Sequence, residues 1–176
     1  MVKRKPKPQD VAERLLKTYG AELPIDVIAI VQAEGIRIRH SEMEDSVSGL
    51  LVIKGDVVTL GVNKTHHPNR QRFTIAHELG HFLLHSQDSK IFVDDEPVVL
   101  FRDQIAAEGT KIQEIEANAF AASLLMPESI IREQLARQPI DAFDDTSMKQ
   151  LAAQFGVSVR AMTIRLTKLQ LLAEEW

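Results

Sequence analysis

The 176-residue chain has no cysteine, a single tryptophan and a single tyrosine. Without thiols, disulfide scaffolds, thiolate zinc sites and cysteine nucleophiles are excluded, and the absence fits a cytoplasmic setting. Long apolar runs are missing too. The longest, Ala119 to Met126, is too short to span a bilayer, so no membrane role is expected. The basic start has no apolar stretch behind it and does not read as a secretion signal. Nor is there a basic surplus: 21 Lys+Arg stand against 25 Asp+Glu, a formal net charge of −4. That balance disfavours a general nucleic-acid binder. What is present is ordinary for a globular protein, 44% hydrophobic and 26% charged residues in a length that suits one domain, alone or with a small appendage. A chain of this size buries about 68–70% of its unfolded surface, enough for a core without staples.

Residues 1–9 hold four basic residues and two prolines and are expected to form a disordered basic tail. The spacing of Val11, Leu15 and Leu16 predicts an amphipathic helix from Asp10 to about Tyr19, stopped by Gly20. A second helix is expected after Pro24, with Ile25, Ile28, Ile30 and Val31 on its apolar side and Gly35 at its end. The period then changes to that of strands. Ile36–Arg39, Val47–Ile53 and Val57–Val62 read as three strands of a small antiparallel sheet, the last two joined by a tight turn containing Gly55. A long helix is expected over Pro68–His85. Residues 86–110 read as a loop with one short strand around Val98–Phe101. Helices follow over Lys111–Met126 and 128–137, then a linker at Pro139–Thr146 and two short helices at 147–155 and 158–170. The fold class is α+β, with a main domain at 10–138 and a linker plus helix pair at 139–176.

The chemistry is concentrated on the long helix. His77-Glu78-Leu79-Gly80-His81 matches H-E-x-x-H, and residues at i and i+4 project from one helical face, so both imidazoles can reach one ion. Glu78 is offset by one position and can stand beside a water on the metal without ligating it. Ile75, Leu79, Phe82 and Leu83 cover one side of the helix, with Phe73 and Leu84 flanking the histidines. Buried polar groups in such a setting need partners, and a shared cation would supply one. Gly80 gives up about 1 kcal/mol of helix propensity relative to alanine, which suggests a close approach there. A catalytic zinc wants a third protein ligand and an open position. Glu114 and Glu116 are the candidates, and they lie about 200° apart around their helix, so only one can face the site. Glu114 shares a face with Asn118, Ala121 and Leu125, and is preferred as ligand, with the Asn118 amide orienting a ligand from behind.

The stretch from Arg72 to His85 (RFTIAHELGHFLLH), followed by Glu114 to Pro127 (EIEANAFAASLLMP), resembles the ImmA/IrrE family of zinc metallopeptidases. The resemblance implies a minimal zincin-like fold, an active-site helix packed on a small sheet, with His77, His81 and Glu114 on a zinc ion and Glu78 as general base. It also implies cleavage of a protein partner, a helix-turn-helix transcriptional repressor, and hence a role in transcription regulation or stress response. An oxyanion stabiliser is not legible: Tyr19 is distant in sequence, and His66 and His67 are open alternatives. His85, about 80° from His77 around the helix, reads as a surface or supporting histidine. Val57–Val62 is a candidate edge for aligning a substrate by strand addition.

Leu151 to Leu166 resembles a helix-turn-helix. Gly156 stands at the turn, Ser158 can cap the second helix, and Leu151, Phe155, Val157 and Leu166 form its core. Arg160, Thr163, Arg165 and Lys168 are types that touch phosphates and base edges. The pair can equally pack on the main domain with a solvated basic face, so any DNA binding is expected to be weak. The alternative to a peptidase is a non-catalytic regulatory or DNA-binding module that retains a structural zinc site.

Overall fold

The computed structural model describes residues 5–85, 98–100, 108–138 and 145–172. Helix α1 (Pro8–Tyr19) begins two residues earlier than the apolar spacing suggests, because proline suits the first helical position, where its missing N–H has no partner to lose. The expected tail therefore gives two of its residues to this helix, and residues 1–4 lie outside the described ones. The helix buries Val11, Ala12, Leu15 and Leu16. Helix α2 (Val27–Ala33) is capped by Asp26, whose side chain accepts from the Ala29 N–H at 3.0 Å. Ile30 and Val31 enter the core from it, whereas Ile28 stays exposed.

The sheet has the order β1-β3-β2-β4, with β1 at Arg37–Ser41, β2 at Gly49–Lys54, β3 at Val57–Asn63 and β4 at Val98–Leu100. β2 pairs antiparallel with β3 and β4, but β1 pairs parallel with β3, from Arg37 opposite Thr59 to Ser41 opposite Asn63. The sheet is mixed, not wholly antiparallel as the strand pattern suggests. Burial explains the order. Leu60 to Asn63 are buried, so β3 takes the interior of the sheet, while β1, which carries Arg37, Arg39 and His40, is mostly exposed at the edge. β3 is therefore not an edge for strand addition; among the described strands the edges are β1 and β4.

Helix α3 (Pro68–His85) has the predicted bounds and packs against α4 (Glu108–Leu125). An added Cβ at Gly80 would lie 2.9 Å from Phe120 Cδ1 and 3.2 Å from Ala117 Cα, so the glycine sets how closely the two helices approach. Helix α5 (Glu128–Arg137) follows, then α6 (Asp145–Phe155) and α7 (Val159–Lys168). Of the expected linker, 139–144 lie outside the described residues and Asp145 and Thr146 are already helical. Gly156 turns the chain between α6 and α7 with φ +62°, and the Ser158 side chain caps α7 by accepting from the Ala161 N–H at 3.1 Å. One core cluster runs through the whole, from Leu16, Leu60, Leu79 and Phe120 to Phe155 and Leu166.

Two arginines join the helix pair to the rest. Arg72 on α3 donates from Nη2 to the Ile25 carbonyl at 2.7 Å and from Nε to the Gly156 carbonyl at 3.2 Å. Arg165 on α7 donates from Nε to the Met126 carbonyl at 3.1 Å and is 9% exposed. Arg165 thus faces the interior, unlike the phosphate-contacting role its residue type suggests; the helical phase of α7 puts it beside the buried Met162 and Leu166. No helix among the described residues is long and apolar enough to cross a membrane.

Candidate metal centre

His77 and His81 sit one turn apart in the middle of α3, and α4 brings Glu114 to them from across the helix contact. Glu114 Oε1 is 2.9 Å from His81 Nε2, and Oε2 is 3.4 Å from His77 Nε2. The two Nε2 atoms are 2.9 Å from each other. Ligand atoms of all three residues lie within 4.8 Å of one another.

The donor set fits a divalent cation. His77 Nδ1 lies 3.0 Å from Asn118 Oδ1, and an amide oxygen only accepts, so in the neutral ring Nδ1 carries the proton and Nε2 presents a lone pair. Burial, then the neighbouring His77, push the His81 imidazole down to about 4, against the opposing pull of Glu114, so this ring is neutral at physiological pH. At most one ring proton is then shared among two imidazole nitrogens and a carboxylate. A cation would meet all three lone-pair donors at once, in the two-histidine, one-carboxylate pattern of catalytic zinc. Glu116, the alternative third ligand, turns elsewhere: its Oε2 faces His85 Nε2 at 3.7 Å. His85 is buried rather than at the surface, its ring 5.6 Å from that of His81.

Glu78 is 3% exposed. The start of β2 passes directly over it. A Cβ added at Gly49 would collide with the Thr74 methyl and come 3.5 Å from Glu78 Cγ. Small residues at 49 and 80 thus let the sheet and α4 close on the two faces of the same helical turn.

The family model for the IrrE N-terminal-like domain, a peptidase family, matches residues 31–167. The chain belongs to this family. Over 112 residues it is 34% identical to the radiation response metalloprotease IrrE of Deinococcus radiodurans, a match covering 61% of this chain and 30% of that protein. It thus spans less than a third of that relative's length. Among solved structures it resembles a Mycobacterium tuberculosis transcriptional regulator with a TM-score of 0.65 and 22% identity, over 93% of this chain and 47% of the other. That likeness shows the α+β fold.

Within this member of the IrrE-like family, the other residues weighed from the sequence go to different tasks. Tyr19 donates its hydroxyl to Glu34 Oε1 at 2.8 Å, in a contact between α1 and the end of α2. His66 is buried with Nε2 3.2 Å from the Asp45 carbonyl, and His67 is exposed, its Nδ1 accepting from the Asn69 N–H. Asn63 is a residue that the pattern reading missed. Its buried amide donates toward the carbonyls of Met43, Glu44 and Val47, while Oδ1 accepts from the Thr65 N–H and hydroxyl. It holds the loop that delivers Gly49 over Glu78. Its one sequence signal is the Asn-Lys-Thr at the end of a β-branched run, the form of an Asx-turn.

Proposed function

We propose that this chain is a zinc-dependent endopeptidase that cleaves a specific protein partner, a helix-turn-helix transcriptional repressor, and so relieves repression. The observation that carries the reading is the convergence of His77, His81 and Glu114 beside a buried glutamate that is not among them. A purely structural site has no need of Glu78 at that position. Membership of a peptidase family supports the reaction class, and the repressor as substrate follows from the family resemblance of the two motifs.

In this mechanism His77, His81 and Glu114 would hold the ion. Bound zinc supplies a Lewis acid that polarises the scissile carbonyl and lowers the pKa of a water to about 7. The Asn118 amide keeps the proton of His77 on Nδ1, so Nε2 stays available as a donor to the metal. The Glu78 carboxylate takes a proton from the attacking water and passes it to the leaving amine. Gly49 and the strand it opens shield Glu78 from solvent, which strengthens its interaction with the reacting atoms. The α6–α7 pair offers Arg160 and Lys168 to solvent but buries Arg165, which supports at most weak DNA contact.

The test mixes a candidate repressor with wild type, with Glu78→Gln and with chelator-treated wild type, and follows the full-length repressor on a gel. Cleavage by wild type is expected, with Glu78→Gln retaining zinc but slower by about 10²–10⁴-fold. If Glu78→Gln cleaves at the wild-type rate, Glu78 is not the base.

A further inference from the structure

The sheet leaves an edge open away from the metal. β1 stands at the end of the order β1-β3-β2-β4, separated by β3 from β2, whose start passes over Glu78. Among the described residues its backbone bonds run to β3, with one more from the Lys64 N–H to the Ser41 carbonyl at 3.0 Å. The backbone groups on its far side therefore face solvent and can pair with another strand.

The side chains of β1 sort by the period of two. Arg37 and Arg39 project to one face, about 6.6 Å apart along the strand, and both are exposed. Their register partners on β3 are Thr59 and Gly61, neither of which offers a counter-charge. Ile38 projects to the other face, where it is half-buried against the core. Neither arginine has an ion pair or a side-chain hydrogen bond among the described residues. The flanking carboxylates are engaged elsewhere: Glu34 accepts from the Tyr19 hydroxyl at 2.8 Å, and Glu42 stands 2.9 Å from Lys64. Charges on an edge strand can simply keep it solvated. Here they share one sign and one face and lack a counter-charge from the fold, so the edge discriminates between partners by charge. A second copy is disfavoured. In antiparallel pairing of two β1 strands centred on Ile38, Arg37 of one copy would face Arg39 of the other, and like charges directly opposite are destabilising. Single-stranded nucleic acid calls for aromatic side chains on which bases stack. The sheet face beside the arginines carries Leu50, Val52, Thr59 and Gly61 instead.

We propose that β1 is a docking edge for an extended acidic segment of a partner protein, added to the sheet as a further strand. The segment carries carboxylates at alternate positions, facing Arg37 and Arg39, with apolar side chains between them toward Ile38. Backbone pairing supplies affinity and the alternation supplies specificity. The proposal is independent of the peptidase reading, since β1 contains neither a metal ligand nor the base.

Fluorescence anisotropy of the full chain with labelled Val-Asp-Val-Asp-Val-Asp-Val tests it. Saturable binding is expected, weakening as salt screens the charge pairs. The same peptide N-methylated along its backbone keeps every carboxylate but donates no strand hydrogen bond, and should bind about tenfold more weakly or worse. The double variant Arg37→Glu/Arg39→Glu changes exposed positions only and should keep its melting temperature. It should bind the acidic peptide about tenfold more weakly or worse and gain the lysine counterpart, Val-Lys-Val-Lys-Val-Lys-Val. Arg37→Gln/Arg39→Gln, which introduces no new charge, should weaken the acidic peptide in the same direction. The metal centre is untouched by these variants, so a peptide held there would bind them unchanged. The proposal is overturned if the acidic peptide does not bind at millimolar concentration, or if the N-methylated peptide binds equally well. It is also overturned if either double variant binds like wild type, if charge reversal does not bring in the lysine peptide, or if labelled oligothymidylate binds wild type more tightly than the acidic peptide.

Discussion

The side chain of Asn118 accepts a hydrogen bond from Nδ1 of His77 at 3.0 Å, across the contact between α3 and α4. Asn118 also lies one turn after Glu114, so a single stretch of α4 supplies both a carboxylate and the amide that orients an imidazole facing it. The prediction is that Asn118→Ala lowers zinc affinity by about 10–100-fold without abolishing it, as loss of such support typically does. Asn118→Asp, which still accepts the His77 proton, should retain most of the affinity. Competition against a chromophoric zinc chelator measures both.

Glu114 and Glu116 should separate cleanly. Glu114→Ala removes the carboxylate within 2.9 Å of His81 and is expected to purify with little zinc. Glu116→Ala should keep about one zinc per chain, because its carboxylate faces His85 instead. Metal analysis by mass spectrometry decides, and the reverse result would assign Glu116 as the ligand.

Gly80→Ala pits two effects against each other. Alanine gains about 1 kcal/mol of helix propensity. The added methyl, however, would sit 2.9 Å from Phe120 and 3.2 Å from the Ala117 backbone, which cannot swing aside. Overpacking of this kind costs about 1–3 kcal/mol, and shifts of α4 would also move Glu114. A lower melting temperature and weaker zinc binding are expected together; a more stable variant with intact zinc affinity would show that the helices can part freely.

The pH dependence of the metal-free protein follows from His81. Its folded value, about 4, lies below the ordinary 6.5, so between these limits the unfolded chain binds a proton that the folded chain does not. The full stability contribution is present above pH 6.5 and is lost as the pH falls toward 4, an effect of up to about 3 kcal/mol. Melting temperatures of chelator-treated protein should drop through that window, and less so in His81→Gln. Imidazole NMR signals give the direct check: a His81 ring titrating near 6.5 would remove the basis for this prediction.

Periodicity and spacing alone determined the α+β class, the bounds of α3, the pairing of His77 with His81 and the separate position of Glu78. These are local properties: a helix repeats every 3.6 residues whatever it packs against. That the Glu114 face of α4, and not the Glu116 face, turns toward His77 and His81 was also legible, since only one helical face can turn inward and that face carries Asn118. Tertiary structure decided what depends on neighbours distant in sequence. β3 went to the interior of the sheet and β1 joined it in parallel, because burial of Leu60–Asn63 outweighs the preference for a simple meander. Asn63 became the anchor of the loop over Glu78 only because that loop folds back with its carbonyls turned toward the amide. Arg165, a phosphate-contacting type by its chemistry, was drawn inward by the Met126 carbonyl, whose need for a donor arises only where α4 ends against α7. Charge and residue type describe what a side chain can do, and packing decides which partner it meets.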